Sequence, residues 1–264
     1  MKRRLFLSGL LLLASASALG AHDLFLKLDS YFVSPGSTLK VRVLNGTFST
    51  SDGAVAKDRV RDIAVVTPAG PTRLDTFAWA AQGDTSVLTV RTRESGTYVI
   101  GASLRPRELR LEAKDFNDYL AHDGVPDVLA ARRRKGELDL PARERYSKHV
   151  KALVQVGDER TTGYEAELGY PAELIPLDNP YTLKAGAMLR VRAVVDGQPL
   201  ANQLVVAGTR RGQSSLRTDS LGVARIRIGS RGPWFVKFIH MRPASGDTTI
   251  DYESKWATLT FGVR

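Results

Sequence analysis

Past its first twenty residues the chain alternates. In Leu39-Lys40-Val41-Arg42-Val43 apolar and basic residues take strict turns, so Leu39, Val41 and Val43 share one face and Lys40 and Arg42 the other. That period of two is the signature of a half-buried β-strand. Leu24–Leu28, Ile63–Thr67, Val87–Arg91 and Tyr98–Leu104 read as further strands, separated by turn clusters such as Ser34-Pro35-Gly36-Ser37 and Pro68-Ala69-Gly70-Pro71. Short strands at this spacing predict a β-sandwich over residues 22–111. Residues 47–61 are polar and patternless, and are expected to form a long loop.

The period then changes. Phe116, Tyr119 and Leu120 lie three and four apart, one helical face. Pro126 suits the first turn of a second helix, and Gly136 suits its stop. Arg132-Arg133-Arg134-Lys135 falls at that helix's C-terminal end, where cations complement the dipole; it reads as a solvated end, or as a docking point for an anion. After Pro141, Tyr146, Val150, Leu153 and Val154 recur at helical spacing, although 151–156 reads equally well as a strand. Residues 112–166 are therefore expected to be a helical insertion and linker.

From residue 167 to 264 the strand grammar returns. Gly186-Ala187-Met188-Leu189-Arg190-Val191-Arg192 echoes Gly36-Ser37-Thr38-Leu39-Lys40-Val41-Arg42 at an offset of 150. Gly232-Pro233-Trp234-Phe235-Val236 echoes Gly96-Thr97-Tyr98-Val99-Ile100. Two similar sandwiches in tandem would explain both echoes; convergent strand patterning would also produce them. In the strand from Trp234, the residues Trp234, Val236, Phe238 and His240 share a face, and Phe235, Lys237, Ile239 and Met241 share the other. The expected fold is mainly β: two tandem sandwiches, immunoglobulin-like or transthyretin-like, around a helical insertion.

The first 21 residues read differently. Lys2-Arg3-Arg4, an apolar run from Leu5 to Leu13 and the small residues Ala14–Ala18 have the three-part order of a cleavable export signal. Cleavage after Ala18, Gly20 or Ala21 is compatible with the sequence, and small-residue preference favours Ala18. A periplasmic location is expected. The chain of 264 residues has no cysteine, which excludes disulfides, thiolate metal sites and a lipidated N-terminal cysteine. No later apolar run is long enough to cross a bilayer. The leader holds three cations and no acid, so +7 of the formal +10 falls on residues 22–264. A basic surface suits an anionic envelope, while no nucleic-acid motif is visible. There is also no nucleophile elbow, phosphate loop or HExxH-type zinc pattern, so no enzyme activity is expected.

The candidate chemistry lies in imidazole and carboxylate. Cleavage after Ala21 would give His22 a free α-amine beside its ring, a two-nitrogen grip for a transition metal. His122 and His149 stand alone in the helical stretch and read as surface or packing residues.

Several stretches resemble a family of exported bacterial proteins of unassigned function that are often described as periplasmic components of nickel or cobalt uptake. They include Ala21-His22-Asp23 through Gly36, Asp115–Leu120, Glu144–Lys148, Leu153–Gly157, Leu174–Leu177 with Asn179-Pro180, Gly197–Leu200, His240-Met241 and Tyr252–Phe261. The resemblance implies two β-domains. It also selects His22 with Asp23, His240 and Glu253 as matched polar positions, a set suited to nickel, cobalt or copper. On that reading the protein binds a divalent metal and works with a membrane transporter or another envelope protein. The alternative is a non-catalytic sandwich module docking on an envelope protein or glycan. Histidine ligation needs neutral rings, so binding should weaken as pH falls through roughly 6.5, the ordinary imidazole pKa.

Overall fold

The computed structural model describes residues 22–264; the export-signal reading of residues 1–21 lies outside them. The chain begins with β1 (Asp23–Lys27), β2 (Phe32–Val33), β3 (Thr38–Gly46), β4 (Val60–Thr67), β5 (Gly70–Arg73), β6 (Trp79–Gln82), β7 (Thr85–Arg91), β8 (Gly96–Leu104) and β9 (Arg107–Leu111). Two helices follow, α1 (Ala113–His122) and α2 (Pro126–Lys135). The rest is β10 (Ala142–Val156), β11 (Ala172–Pro176), β12 (Met188–Val195), β13 (Gln198–Pro199), β14 (Leu204–Thr209), β15 (Gly212–Arg217), β16 (Val223–Arg227), β17 (Gly232–Pro243) and β18 (Tyr252–Val263). The protein is mainly β, with several sheets and two helices in mid-chain.

One sheet runs through both halves. Its strands lie in the order β15-β14-β17-β18-β10-β8-β4-β5, with β2 and β9 also paired to β10. The seam is a parallel pairing of β10 with β18, from Glu144 opposite Tyr252 to Ala152 opposite Thr260. A second sheet, β1-β3-β7-β6, and a third, β11-β12-β13 with β16, pack on it. They cover opposite faces. Lys148 reaches the carbonyl of His22 beside β1, whereas Lys151 reaches Glu173 on β11. Those lysines are three apart on one strand and so point to opposite sides.

The helix pair covers what the β1 sheet leaves bare. Phe116, Tyr119 and Leu120, the predicted face of α1, are buried with Ile239 and Met241 of β17 and Tyr252 and Trp256 of β18. The ring of Tyr119 stacks on Trp256, with centres 5.9 Å apart. Pro126 opens α2, and Gly136 ends it with φ of 72°, a conformation that glycine adopts without steric cost. The basic run at this end is not uniform. Arg132 is buried; its guanidinium donates to the carbonyls of Glu137 and Leu140, both at 2.6 Å, and to Asn117 at 3.1 Å.

Residues 142–156 depart from the helical spacing of Tyr146, Val150, Leu153 and Val154. They form one continuous strand of 15 residues. The alternation is hidden because charged and polar groups are buried on both of its faces: Glu144 and Lys148 on one, Ser147, His149 and Lys151 on the other. Residues 47–61 also carry more order than their composition suggests. Phe48 and Val55 are buried, and the Trp79 indole donates to the Val55 carbonyl at 2.9 Å.

The pair Lys151–Glu173 fastens the third sheet to the central one. Both side chains are only 3% exposed. Glu173 also accepts from the backbone N–H of Tyr170 at 2.8 Å and of Leu168 at 3.0 Å, and Lys151 donates to the Ala166 carbonyl at 3.0 Å. Removing one member leaves the other charge buried and unpaired, which typically costs about 3–5 kcal/mol. Lys151→Met should therefore lose about that much in urea unfolding, and Lys151→Met/Glu173→Gln should regain most of it, since glutamine still accepts the two N–H groups. A loss below about 1 kcal/mol in the single variant would contradict this assignment.

Candidate functional site

Where the β1 sheet meets the helix pair over the central sheet, a cleft of about 580 Å³ opens. Its walls come from four places: His22 and Asp23 at the head of β1, Gly46–Ser49 after β3, His122 and Asp123 at the end of α1, and Thr209, Arg210 and Gln213 of the β14–β15 hairpin. Phe235 and Lys237 of β17 form its floor. Two His-Asp dipeptides, one hundred residues apart in sequence, thus face one opening.

His22 is not a loose end. Its carbonyl accepts from the buried ammonium of Lys148, and its ring Nδ1 lies 3.2 Å from Asp52 Oδ2. The next residue, Asp23, pairs through Oδ2 with Lys237. Gly46 makes the Asp52 contact possible: a Cβ there would stand 2.7 Å from Asp52 Oδ2 and 2.6 Å from the Thr50 carbonyl. Asp23 Oδ1 is buried and has no hydrogen-bond donor.

His122 is fixed in a similar way. Its Nδ1 lies 2.6 Å from the Asp118 carbonyl one turn earlier. A carbonyl only accepts, so Nδ1 donates, and in the neutral ring the lone pair lies on Nε2. The same logic applied to His22, whose Nδ1 faces a carboxylate, leaves its Nε2 as the acceptor. Asp123 terminates α1, the end at which a helix dipole disfavours an anion. Burial, reinforced by the charge of Asp23, pushes its carboxyl up to about 6. Burial likewise pushes the Lys148 ammonium down to about 8.

The other two matched positions lie elsewhere. Lys237, which holds Asp23, and His240 are three residues apart on β17 and face opposite sides of the sheet. His240 Nδ1 faces Gln203 Oε1 at 3.3 Å in a separate cleft, and burial lowers its pKa. Glu253 shares the His240 side but is held by Arg242 at 2.8 Å. The set His22, Asp23, His240 and Glu253 therefore does not converge on one ion. Among the described residues, no three histidine or carboxylate groups are gathered around one point. His149 is enclosed, with Ser103 Oγ at 2.9 Å from Nδ1 and Ser147 Oγ at 3.1 Å from Nε2, and burial pushes its ring down to about 3.

A model of the family described as Domain of unknown function (DUF4198) matches residues 19–242. The chain belongs to this family. The DUF4198 match takes in the whole cleft, with His22, Asp52, His122, Arg210 and Lys237 inside its limits. No curated protein matches the chain. Among solved structures, the D0-D1 domain of Intimin is 12% identical over 89% of this chain and 96% of its own, with a TM-score of 0.22. Trypsin-activated alpha-2-macroglobulin from Escherichia coli is 12% identical over 93% of this chain but only 16% of its own, with a TM-score of 0.23. A DUF4785 family protein from Legionella pneumophila is 12% identical over 79% of this chain and 49% of its own, with a TM-score of 0.24. Overlaps at these scores say nothing of activity.

Sequence reasoning weighed His122 and set it aside as a surface or packing residue, and it missed Asp123 and Asp52. The repeated His-Asp dipeptide was the available signal for the first two; Asp52 lies in a stretch with no pattern.

A buried polar layer sits under the helix pair on the same face of the central sheet. Glu144 Oε1 accepts from the hydroxyls of Ser254 and, at 3.2 Å, Tyr119, while its Oε2 is buried with no donor. Trp256 donates to Ser254 at 2.9 Å, and the Lys148 ammonium lies 5.1 Å from the Trp256 ring centre. Burial pushes the Glu144 carboxyl up to about 7 from its ordinary 4.5. The folded chain holds this proton more tightly than the unfolded chain. The resulting stabilisation is complete below about pH 4.5 and is lost as pH rises through about 7, amounting to about 3 kcal/mol. Glu144→Gln should flatten that part of the stability–pH curve and exceed the unsubstituted protein in stability at pH 8. Parallel curves for the two proteins from pH 4.5 to 8 would contradict it.

Proposed function

We propose that this chain is an exported, non-catalytic protein that binds one first-row transition-metal ion in the cleft of His22 and His122. A single observation carries the reading. Two of the chain's four histidines line one cleft, and each has Nδ1 tied to an oxygen acceptor, leaving Nε2 as a free lone pair. Histidine ligands of metals characteristically have their second nitrogen held by a carboxylate or a backbone carbonyl. The buried, donor-free Asp23 Oδ1 adds an oxygen to the same cleft wall. Imidazole with carboxylate suits nickel, cobalt, copper or zinc.

The residues that would hold the ion are His22 and His122; Asp23 and Asp123 line the same cleft but do not converge with them on one point. Cleavage of the leader after Ala21 would add the α-amine of His22 as a third nitrogen. Lys237 neutralises Asp23, so ion entry competes with that pair. A held ion would offer Lewis acidity; the role we assign to the site is carriage of the ion, or its delivery to an envelope partner.

Calorimetric titration of the exported full chain with copper(II) and nickel(II) tests this. His22→Ala and His122→Ala should each weaken binding at least about tenfold, while His240→Ala should leave it within about twofold. Unchanged affinity in the first two variants, or its loss in the third, would overturn the assignment. The intact mass of the same material gives the cleavage position.

A further inference from the structure

Another cavity, sharing no lining residue with the histidine cleft, opens in the N-terminal half. It measures about 750 Å³ and lies between β4–β5 and β7, closed on one side by the 74–78 link. Its lining includes Val65, Leu74 and Val90. At its lip stands Phe77, 86% exposed, more than any other large apolar side chain among the described residues. This phenyl is not there through looseness. Thr76–Ala78 form a tight 3-10 turn, and Asp75 caps it by accepting from the Phe77 N–H at 2.9 Å. The turn fixes the backbone that carries this exposed ring at the mouth of a largely apolar cavity, an arrangement that suits a binding surface.

The rim is basic. Arg91 and Arg93 line the cavity, and the Lys57 ammonium lies 5.3 Å from the Phe77 ring centre. Among the described residues, neither arginine is paired with a carboxylate. The acids at the same rim are committed to backbone: Asp75 to Phe77 N–H, and Glu94 to the Ala69 N–H at 3.1 Å. The Tyr98 hydroxyl donates to the Glu94 carbonyl at 2.9 Å and accepts from the Arg93 N–H at 3.3 Å, which fixes the segment carrying Arg93.

We propose that this cavity binds a small amphipathic anion, an acyl or aryl group ending in a carboxylate. The apolar part lies against Val65, Leu74, Val90 and Phe77, and the carboxylate meets Arg91 and Arg93. The volume falls in the range of small-molecule sites, and unpaired guanidinium groups favour a carboxylate through charge-assisted hydrogen bonds.

The test uses the full chain and the probe 1-anilinonaphthalene-8-sulfonate, with decanoate as competitor. Saturable emission at one site per chain is expected, displaced by decanoate at least tenfold more effectively than by decanol. Phe77→Ser and Arg91→Gln/Arg93→Gln should each weaken decanoate binding at least fivefold, with unchanged circular dichroism and melting temperature. Leu221→Ser, which removes another exposed apolar side chain, should change nothing. Phe77 contributes little to the core, so its variant remains informative even if the double arginine variant folds poorly. No saturable binding, equal displacement by decanol, or equal affinity in Phe77→Ser and the unsubstituted chain would overturn the proposal.

Discussion

The parallel pairing of β10 with β18, residues 144–152 against 252–260, joins the two halves of the chain into one sheet. It places β10 in the interior, covered on both faces, yet this strand carries Glu144, Lys148 and Lys151. A buried charge is tolerated only where it is met by a partner. Each of these three is met by a different layer. Lys148 reaches the His22 carbonyl at the β1 sheet, Lys151 reaches Glu173 in the third sheet, and Glu144 takes the Tyr119 hydroxyl of α1. The polar groups that make β10 an unusual central strand are also those that fix what lies on top of it.

The histidine cleft follows from that arrangement. The β1 sheet and the helix pair cover the same face of the central sheet from two directions. The head of β1 and the end of α1 therefore meet across a gap floored by Phe235 and Lys237. Lys148 and Lys237 hold residues 22 and 23 in place at this gap. The head of the first strand, which would otherwise be open to fraying, becomes a fixed wall of the cleft.

How much of this could be read from the sequence differed by element. Strands buried on one face announced themselves: the alternation around Leu39–Val43 and the two faces of Trp234–Met241 match β3 and β17, down to Lys237 and His240 pointing apart. Both helices were legible from Phe116, Tyr119 and Leu120 and from the Pro126 and Gly136 boundaries. β10 was not, because its charges face inward on both sides and erase the period of two. The β10–β18 register was equally hidden, since a pairing across more than a hundred residues leaves no local trace. Of the cleft, His22 and Asp23 were visible as candidates. His240 and Glu253 were chosen with them because residue type and resemblance carry no distance. His122 and Asp52 entered only when folding brought a helix end and a patternless loop to the same opening.

On the proposed function, His22 and His122 form one metal site. Crystals of the protein grown with copper(II), measured on either side of the copper absorption edge, would show whether they do. A single ordered anomalous peak is expected in the cleft, adjoining Nε2 of both His22 and His122. A peak at His240 instead, or no ordered peak beside His22 and His122 in copper-loaded crystals, would contradict it.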